Sequence, residues 1–207
     1  QKILGSDGGR TPHPVVISAH TNRVPVLDGH TMTVPVEFAS RVSPDDVAAI
    51  FVEPIQGEGG YVIPPLGFLK ALREIADQHG ILLVADEVQS GVGRTGKMWA
   101  CDWEGVEPDI LVSAKGLGSG MPIGAFVAKE SVMTWEAGAH GSTYGGNPLA
   151  SAMGNAVLDR MLAPGFFETV DKMGQRLNWH LQQLAQRFPD SPYTARAWAW
   201  RQSHMSG

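Results

Sequence analysis

A chain of 207 residues, 43% hydrophobic and 18% charged, has the composition of a globular protein and is long enough for one domain with a substantial core. Its net charge of −5 provides no basic field for nucleic acid or an anionic membrane, and no apolar run approaches the roughly 20 residues of a membrane span. One cysteine excludes an internal disulfide, and residues 1–6 lack the apolar core of a signal peptide, so we expect a cytoplasmic protein.

The N-terminal segment, residues 1–45, is rich in Gly, Pro, Thr and His, and within it only residues 15–18 suggest a strand. We therefore expect this segment to be irregular. The run AAIFVE, which begins at residue 48, predicts a buried strand that is stopped by Pro54.

A βαβ unit is predicted from there to residue 86. A helix over residues 66–79 should be terminated by Gly80, and a strand over residues 81–86 follows directly. Such a unit is expected to be right-handed and parallel. The apolar residues spaced for one face of this helix are Leu66, Leu69, Leu72, Ile75 and Ala76.

The second half of the chain continues the α/β pattern, with strands predicted at residues 110–113 and 125–128. Asn147 as N-cap and Pro148 at the first helical position predict a helix to about Met161. We expect an α/β fold with a mainly parallel sheet and helices on both faces. A second amphipathic helix, over residues 166–188, has on one side Phe167, Val170, Met173, Leu177, Leu181 and Leu184.

Lys115 and Asp86 each follow a predicted parallel strand. Because ligands collect at the carboxyl ends of such strands, we expect an amine and a carboxylate to meet there. Pyridoxal 5′-phosphate (PLP) needs both, since the lysine forms a Schiff base with its aldehyde and the carboxylate keeps the pyridine nitrogen protonated. The alternatives are a solvated lysine at a strand-to-loop junction and an acid that caps its strand end through backbone amides.

Two further segments lie near this edge in the predicted fold. Glu53 and Glu58 come just after a strand end and could face the same site, the alternative being a solvated turn. The small-residue loop GSTYGGNP at residues 141–148 leads into a helix N-terminus, where backbone amides and hydroxyls suit an anion such as phosphate. The alternative is a flexible loop before a capped helix.

The run GVGRTG at residues 91–96 matches the glycine pattern of dinucleotide-binding folds. In those folds the first glycine lies directly at the strand end and a long amphipathic helix follows. Here Asp86 and Glu87 place negative charge where a pyrophosphate would lie, and residues 97–105 carry no helical stripe. We therefore reject a nicotinamide cofactor, and since no zinc spacing, P-loop or nucleophile elbow occurs, no metal site is expected.

Four ordered motifs together resemble the class III (ω-amino acid) aminotransferases, which are PLP-dependent enzymes of fold type I. The resemblance runs from about residue 48 to residue 160 and is densest to the 4-aminobutyrate and acetylornithine/ornithine aminotransferases. It implies the large domain of that fold, PLP as cofactor, and transfer of an amino group from an amino acid, such as 4-aminobutyrate or an ornithine-type donor, to a 2-oxo acid. The motifs are EPIQGEGG at 53–60, DEVQSGVGRTG at 86–96, SAKGLGSGMPIG at 113–124 and HGSTYGGNP at 140–148.

The same resemblance implies roles for individual residues. Lys115 would form the Schiff base and move the proton during catalysis, while Asp86 would pair with the pyridinium nitrogen. Gln89 would contact the 3-hydroxyl oxygen of PLP, and Glu53 would be a second acid near the cofactor. Thr143 would bind the phosphate, reaching across from the neighbouring subunit of a homodimer with shared active sites.

Glu58 resembles the gating glutamate that pairs with a substrate-binding arginine in this family. Family members are longer, and residues 1–45 contain neither the upstream phosphate loop nor the aromatic-His-Gly segment that stacks on PLP. We therefore expect a PLP-binding core at residues 46–163, a helix at 164–188 leading to an absent small domain, and an atypical tail at 189–207. The alternatives are a PLP-dependent racemase or decarboxylase on the same scaffold, or a truncated, non-catalytic remnant marked by large exposed apolar patches.

Overall fold

The N-terminal part of the chain contains four short strands in a computed structural model of the protein. They form two antiparallel pairs, β1 (Val15–Ile17) with β4 (Val36–Phe38) and β2 (His20–Asn22) with β3 (Thr31–Thr33). Only the first of them is predicted by the sequence, because three-residue strands are too short to show a period of two. The structure describes residues 15–17, 20–22, 31–33, 36–38, 47–58, 60–136, 138–139 and 141–189, so nearly all of the predicted tail lies outside it.

A four-stranded sheet carries the rest of the fold, in the order β5 (Ala49–Val52), β6 (Leu82–Asp86), β7 (Ile110–Ser113) and β8 (Ala125–Ala128). The first three strands are parallel, and β8 runs antiparallel to β7. The carboxyl ends of the parallel strands therefore lie along one edge of the sheet. The prediction of an α/β fold with a mainly parallel sheet is confirmed.

Helix α1 (Phe68–His79) connects β5 to β6 and ends where the sequence predicted. Gly80 has φ of 65°, and its N–H donates to the carbonyl oxygen of Ala76, a helix end that favours glycine. Leu69 and Ala76 are buried, but Leu66 is 82% and Ile75 is 45% exposed. The predicted face was therefore wrong for these two residues, because Leu66 precedes the helix and Ile75 lies beside the buried stripe.

The core lies between α1 and one face of the sheet. Since side chains alternate along a strand, the neighbours of these core residues project from the opposite face. On that face Val84 is buried, Phe51 is 75% exposed, and Asp86 lies at the carboxyl edge. The strand residues that face α1 are Ile50, Val52, Leu83 and Ala85.

Two consecutive helices follow the sheet, α2 (Pro148–Leu162) and α3 (Phe166–Arg187). The predicted start of α2 is confirmed, because the side chain of Asn147 accepts a hydrogen bond from the Ala150 N–H at 2.9 Å. Helix α3 is also confirmed, but its predicted apolar side remains 40% to 60% exposed at Met173, Leu177, Leu181 and Leu184. Within the described ranges, no helix has both the length and the apolar character needed to cross a bilayer.

Candidate active site

Three segments meet at the carboxyl edge of the parallel strands: the turn after β5, the loop after β6, and a 3₁₀ turn, Lys115–Leu117, after β7. Oε1 of Glu58 accepts a hydrogen bond from Nε2 of Gln89 at 2.6 Å and lies 3.6 Å from Nζ of Lys115. The structure thus brings together three predicted site residues from three separate motifs. The Lys115 and Glu58 side chains are each 47% exposed, so a small solute can reach the amine.

Glycine at position 57 allows the turn after β5 to approach the loop after β6. Gly57 is buried, and a Cβ on it would lie 2.6 Å from Cβ of Gln89, closer than real side chains pack. The Gly57 N–H donates to Oε2 of Glu53 at 2.8 Å, so the half-buried Glu53 carboxylate closes the turn that carries Glu58. Glu53 therefore stabilises the turn, and its predicted contact with a cofactor stays a prediction.

Asp86 is half-buried at the end of β6, and its partner in β7 is Val112, three residues before Lys115. Its Oδ1 accepts a hydrogen bond from the Val88 N–H at 3.1 Å, as expected of an acid that caps its strand end. Among the described residues no hydrogen bond reaches Oδ2. One carboxylate oxygen therefore caps the strand, and the other is available to a cation such as a pyridinium.

Glu87 is a structural residue of the site that the sequence analysis missed. It is fully buried, with Oε1 accepting from the Cys101 N–H at 2.9 Å and Oε2 from the Ser90 hydroxyl at 2.6 Å. These bonds tie the end of β6 to the 3₁₀ turn Ala100–Trp103 and satisfy a carboxylate that would otherwise be costly to bury. Burial, and then the nearby Glu87 charge, raise the pKa of the Cys101 thiol, which keeps it protonated. The signal in the sequence was a second acid directly after the strand.

Thr143 lies in an exposed loop before α2. No hydrogen bond among the described residues joins it to Lys115, Gln89 or Glu58. The loop is instead organised by Ser142, whose Oγ accepts from the Gly145 N–H at 3.0 Å. The structure of a single chain therefore does not bring Thr143 into the cluster, and its phosphate role stays a prediction that involves a neighbouring subunit.

The opposite edge of the sheet carries Asp109, a carboxylate that accepts hydrogen bonds from one backbone N–H and two basic side chains. Burial raises its pKa, but a hydrogen bond from the Leu83 N–H and bonds from the Arg73 and Lys129 side chains outweigh this and lower the pKa to about 2. A cleft of about 570 Å³ lies beside Asp109 and Lys129. It contains none of the predicted site residues, so we assign this charge cluster to stability.

The residues at the carboxyl edge fit PLP. The lysine amine is accessible, Asp86 at the end of the neighbouring strand has a carboxylate oxygen free of hydrogen bonds among the described residues, and the Gln89 amide provides a donor. An amine for the aldehyde and a carboxylate for the ring nitrogen are the two groups that PLP chemistry requires of a protein.

Comparison with known proteins gives one family. A model of the family described as Aminotransferase class-III matches residues 10–196. The acetylornithine aminotransferase of Mesorhizobium japonicum is 49% identical over 156 residues, which cover 75% of this chain and 39% of that protein. The structure of Plasmodium falciparum ornithine delta-aminotransferase has a TM-score of 0.64 and 40% identity, covering 71% of this chain and 38% of that one.

A further solved structure bears on the cofactor. The ornithine aminotransferase of Toxoplasma gondii, described with partial occupancy of PLP at its active site, has a TM-score of 0.58 and is 39% identical to this chain. The match covers 72% of this chain and 35% of that one. The chain thus spans less than two fifths of the length of each of these relatives.

Proposed function

We propose, because this chain belongs to the class III aminotransferase family, that it forms the PLP-binding edge of an enzyme that transfers an amino group from an amino acid to a 2-oxo acid. The relatives named acetylornithine and ornithine aminotransferase support an ornithine-type donor. The observation that carries the proposal is the convergence of Lys115, Gln89 and Glu58 at the edge where Asp86 ends β6.

PLP, when bound, supplies an aldehyde that condenses with an amine and a ring that accepts electrons from the bond being broken. Lys115 is assigned the covalent attachment and, when its amine is free again, the movement of the proton. Asp86 would accept the N–H of the pyridinium ring through Oδ2, since Oδ1 is occupied by Val88. Gln89 would donate an amide N–H to the 3-oxygen of PLP, since Nε2 carries two N–H groups and its bond to Glu58 uses one of them.

The remaining assignments extend this proposal to an assembly. Glu58 would gate the substrate site, Glu53 would support the turn near the cofactor, and Thr143 would bind the phosphate from the neighbouring subunit of a homodimer. Residues 46–163 would form the PLP-binding core, and residues 164–188 would lead to a small domain of a longer enzyme. A free, buried Cys101 is compatible with a reducing compartment, which supports the proposed cytoplasmic location.

The test is an absorbance spectrum of the purified chain with added PLP, for wild type, Lys115→Ala and Lys172→Ala. Lys172 is an exposed lysine of α3 and serves as the matched control. We expect a Schiff-base band near ~410–430 nm in wild type and Lys172→Ala, absent in Lys115→Ala. Borohydride reduction followed by peptide mass spectrometry should then locate PLP on Lys115.

No band in any of the three proteins would overturn the proposal for this chain and favour a non-catalytic remnant. With a band present, amino donors are screened by its bleaching, and products are identified. A 2-oxo acid and a new amino acid indicate transamination, whereas an inverted or decarboxylated amino acid would indicate the racemase or decarboxylase alternative.

A further inference from the structure

The run GVGRTG at residues 91–96, which resembles a dinucleotide motif and takes no part in the proposed reaction, lies against the turn that carries Lys115. The contact is between Val92 and Gly116, the residue directly after Lys115. A Cβ on Gly116 would lie 3.1 Å from Cβ and 3.5 Å from Cγ1 of Val92. The Val92 side chain thus occupies the space beside Gly116.

Both sides of this contact contain a backbone conformation that side chains disfavour. Val92 has φ of 56° and Lys115 has φ of 37°, and neither residue is glycine. For a β-branched residue such as valine a positive φ is a true outlier, which persists only when the surroundings enforce it. Strain of this kind collects at functional sites, so its occurrence at Val92 calls for a role.

The neighbours of Val92 hold it in place from both sides. A Cβ on Gly91 would lie 2.7 Å from the carbonyl oxygen of Glu87 and 2.8 Å from ring carbons of Trp99. A Cβ on Gly93 would lie 2.9 Å from Cε of Met161 in α2, and the Gly93 N–H donates to the Met98 carbonyl at 3.2 Å. The loop at residues 91–96 therefore packs between α2 and Trp99, which directly precedes the 3₁₀ turn Ala100–Trp103.

We propose that Val92 is a positioning residue that holds the strained Lys115 backbone by packing against Gly116. This inference rests on the proposed role of Lys115. The Val92 side chain beside Gly116 prevents the turn at Lys115–Leu117 from relaxing and keeps Nζ of Lys115 near Glu58. This packing explains why Val92 and Lys115 both hold a disfavoured backbone conformation.

A compensating pair of substitutions tests the contact. Gly116→Ala adds a Cβ that meets Val92, while Gly116 itself lies outside the left-handed region, so alanine is blocked only by that side chain. Val92→Gly removes the side chain that packs against Gly116, and glycine also tolerates the positive φ at position 92. In the double variant, the new methyl group at position 116 occupies part of the space that valine leaves.

The readout is the reactivity of Lys115 relative to Lys172, by peptide mass spectrometry, with PLP followed by borohydride. We expect each single variant to lower this ratio by at least about threefold and the double variant to restore it to within about twofold of wild type. A general loss of structure would not be rescued in this way, and thermal unfolding confirms that each variant is folded. Single variants with the wild-type ratio, or a double variant no better than the singles, would overturn the inference.

A second reagent separates this inference from the proposed function. A small amine-directed acylating reagent, used without PLP, reports the environment of Lys115 whether or not the cofactor binds. If wild type does not attach PLP at Lys115, the proposed function fails, while the acylation ratios still test the contact. We expect Val92→Gly and Gly116→Ala to shift the acylation ratio and the double variant to return it, and the same ratio in all four proteins would refute the contact.

Discussion

Glu58 and Gln89 are 31 positions apart in the chain and share a 2.6 Å hydrogen bond across the carboxyl edge of the sheet. Lys115 completes the group, with its Nζ 3.6 Å from the same carboxylate oxygen. The Glu58 carboxylate therefore contacts two of the groups that the proposed function directs to PLP. The ion pair with Lys115 must separate before Nζ can attack an aldehyde, whereas Gln89 can keep its bond to Glu58 because Nε2 carries a second N–H.

Replacing Glu58 with glutamine should make Lys115 easier to modify. The ion pair must separate before Nζ can attack an aldehyde, so we expect Glu58→Gln to attach PLP about two- to fivefold faster, the rate equivalent of a typical exposed ion pair. Stopped-flow absorbance measures this rate. The control is Glu107→Gln, whose exposed carboxylate lies 4.0 Å from Lys129 and should leave the rate unchanged. Equal or slower attachment in Glu58→Gln would contradict the prediction.

Substituting Gly57 with alanine should separate the two sides of the site. The new Cβ would lie 2.6 Å from Cβ of Gln89, so the turn must move away and the bond between Glu58 and Gln89 should be lost. We expect destabilisation by about 1–3 kcal/mol, as for overpacking, together with weaker PLP attachment at Lys115. Urea unfolding and peptide mass spectrometry measure the two effects. Gly174→Ala is the control for attachment, because its Cβ meets nothing within 4 Å.

Two glycines near or within α3 should respond to alanine with opposite signs. Neither new Cβ would meet an atom within 4 Å, but Gly165 has φ of 84° and Gly174 lies in the helix. Gly174→Ala should stabilise by about 0.5–1 kcal/mol because glycine is unfavourable inside a helix. Gly165→Ala should destabilise by about 1–2 kcal/mol because alanine is strained in the left-handed region. Urea denaturation of both variants decides this, and changes of equal sign would show that backbone conformation is not the cause.

Asp109 should contribute stability that depends on pH. Its folded pKa, about 2, lies below the ordinary value of 3.8, so the contribution is complete above about pH 4 and is lost as the pH falls towards 2. We expect Asp109→Asn to lower the free energy of unfolding by about 2 kcal/mol at neutral pH and by less below pH 3. The comparison is Asp77→Asn, whose 66% exposed carboxylate also contacts Arg73 and should change stability by less than about 1 kcal/mol. A pH-independent difference for Asp109→Asn would refute the assignment.

Much of the α/β order follows from local patterns. Gly80 ends α1 and Asn147 begins α2 as predicted, because both positions depend on local backbone geometry that glycine and asparagine favour. Longer-range features were less predictable. Ile75 has the spacing of the buried stripe but lies beside it, and the apolar side of α3 stays exposed in the described structure, because burial depends on what packs opposite.

The candidate site likewise has features that the sequence predicts and features that only the tertiary structure shows. By itself the sequence determined that Lys115 and Asp86 each come at the end of a strand, because strand ends and residue types are local properties, while the structure showed that the two strands are neighbours. Only the tertiary structure decided that Glu58 lies between Gln89 and Lys115, that Glu87 is fully buried, and that Val92 packs on Gly116. These are contacts between loops, and loop contacts depend on chain reversals and close approaches that no periodicity along the chain records.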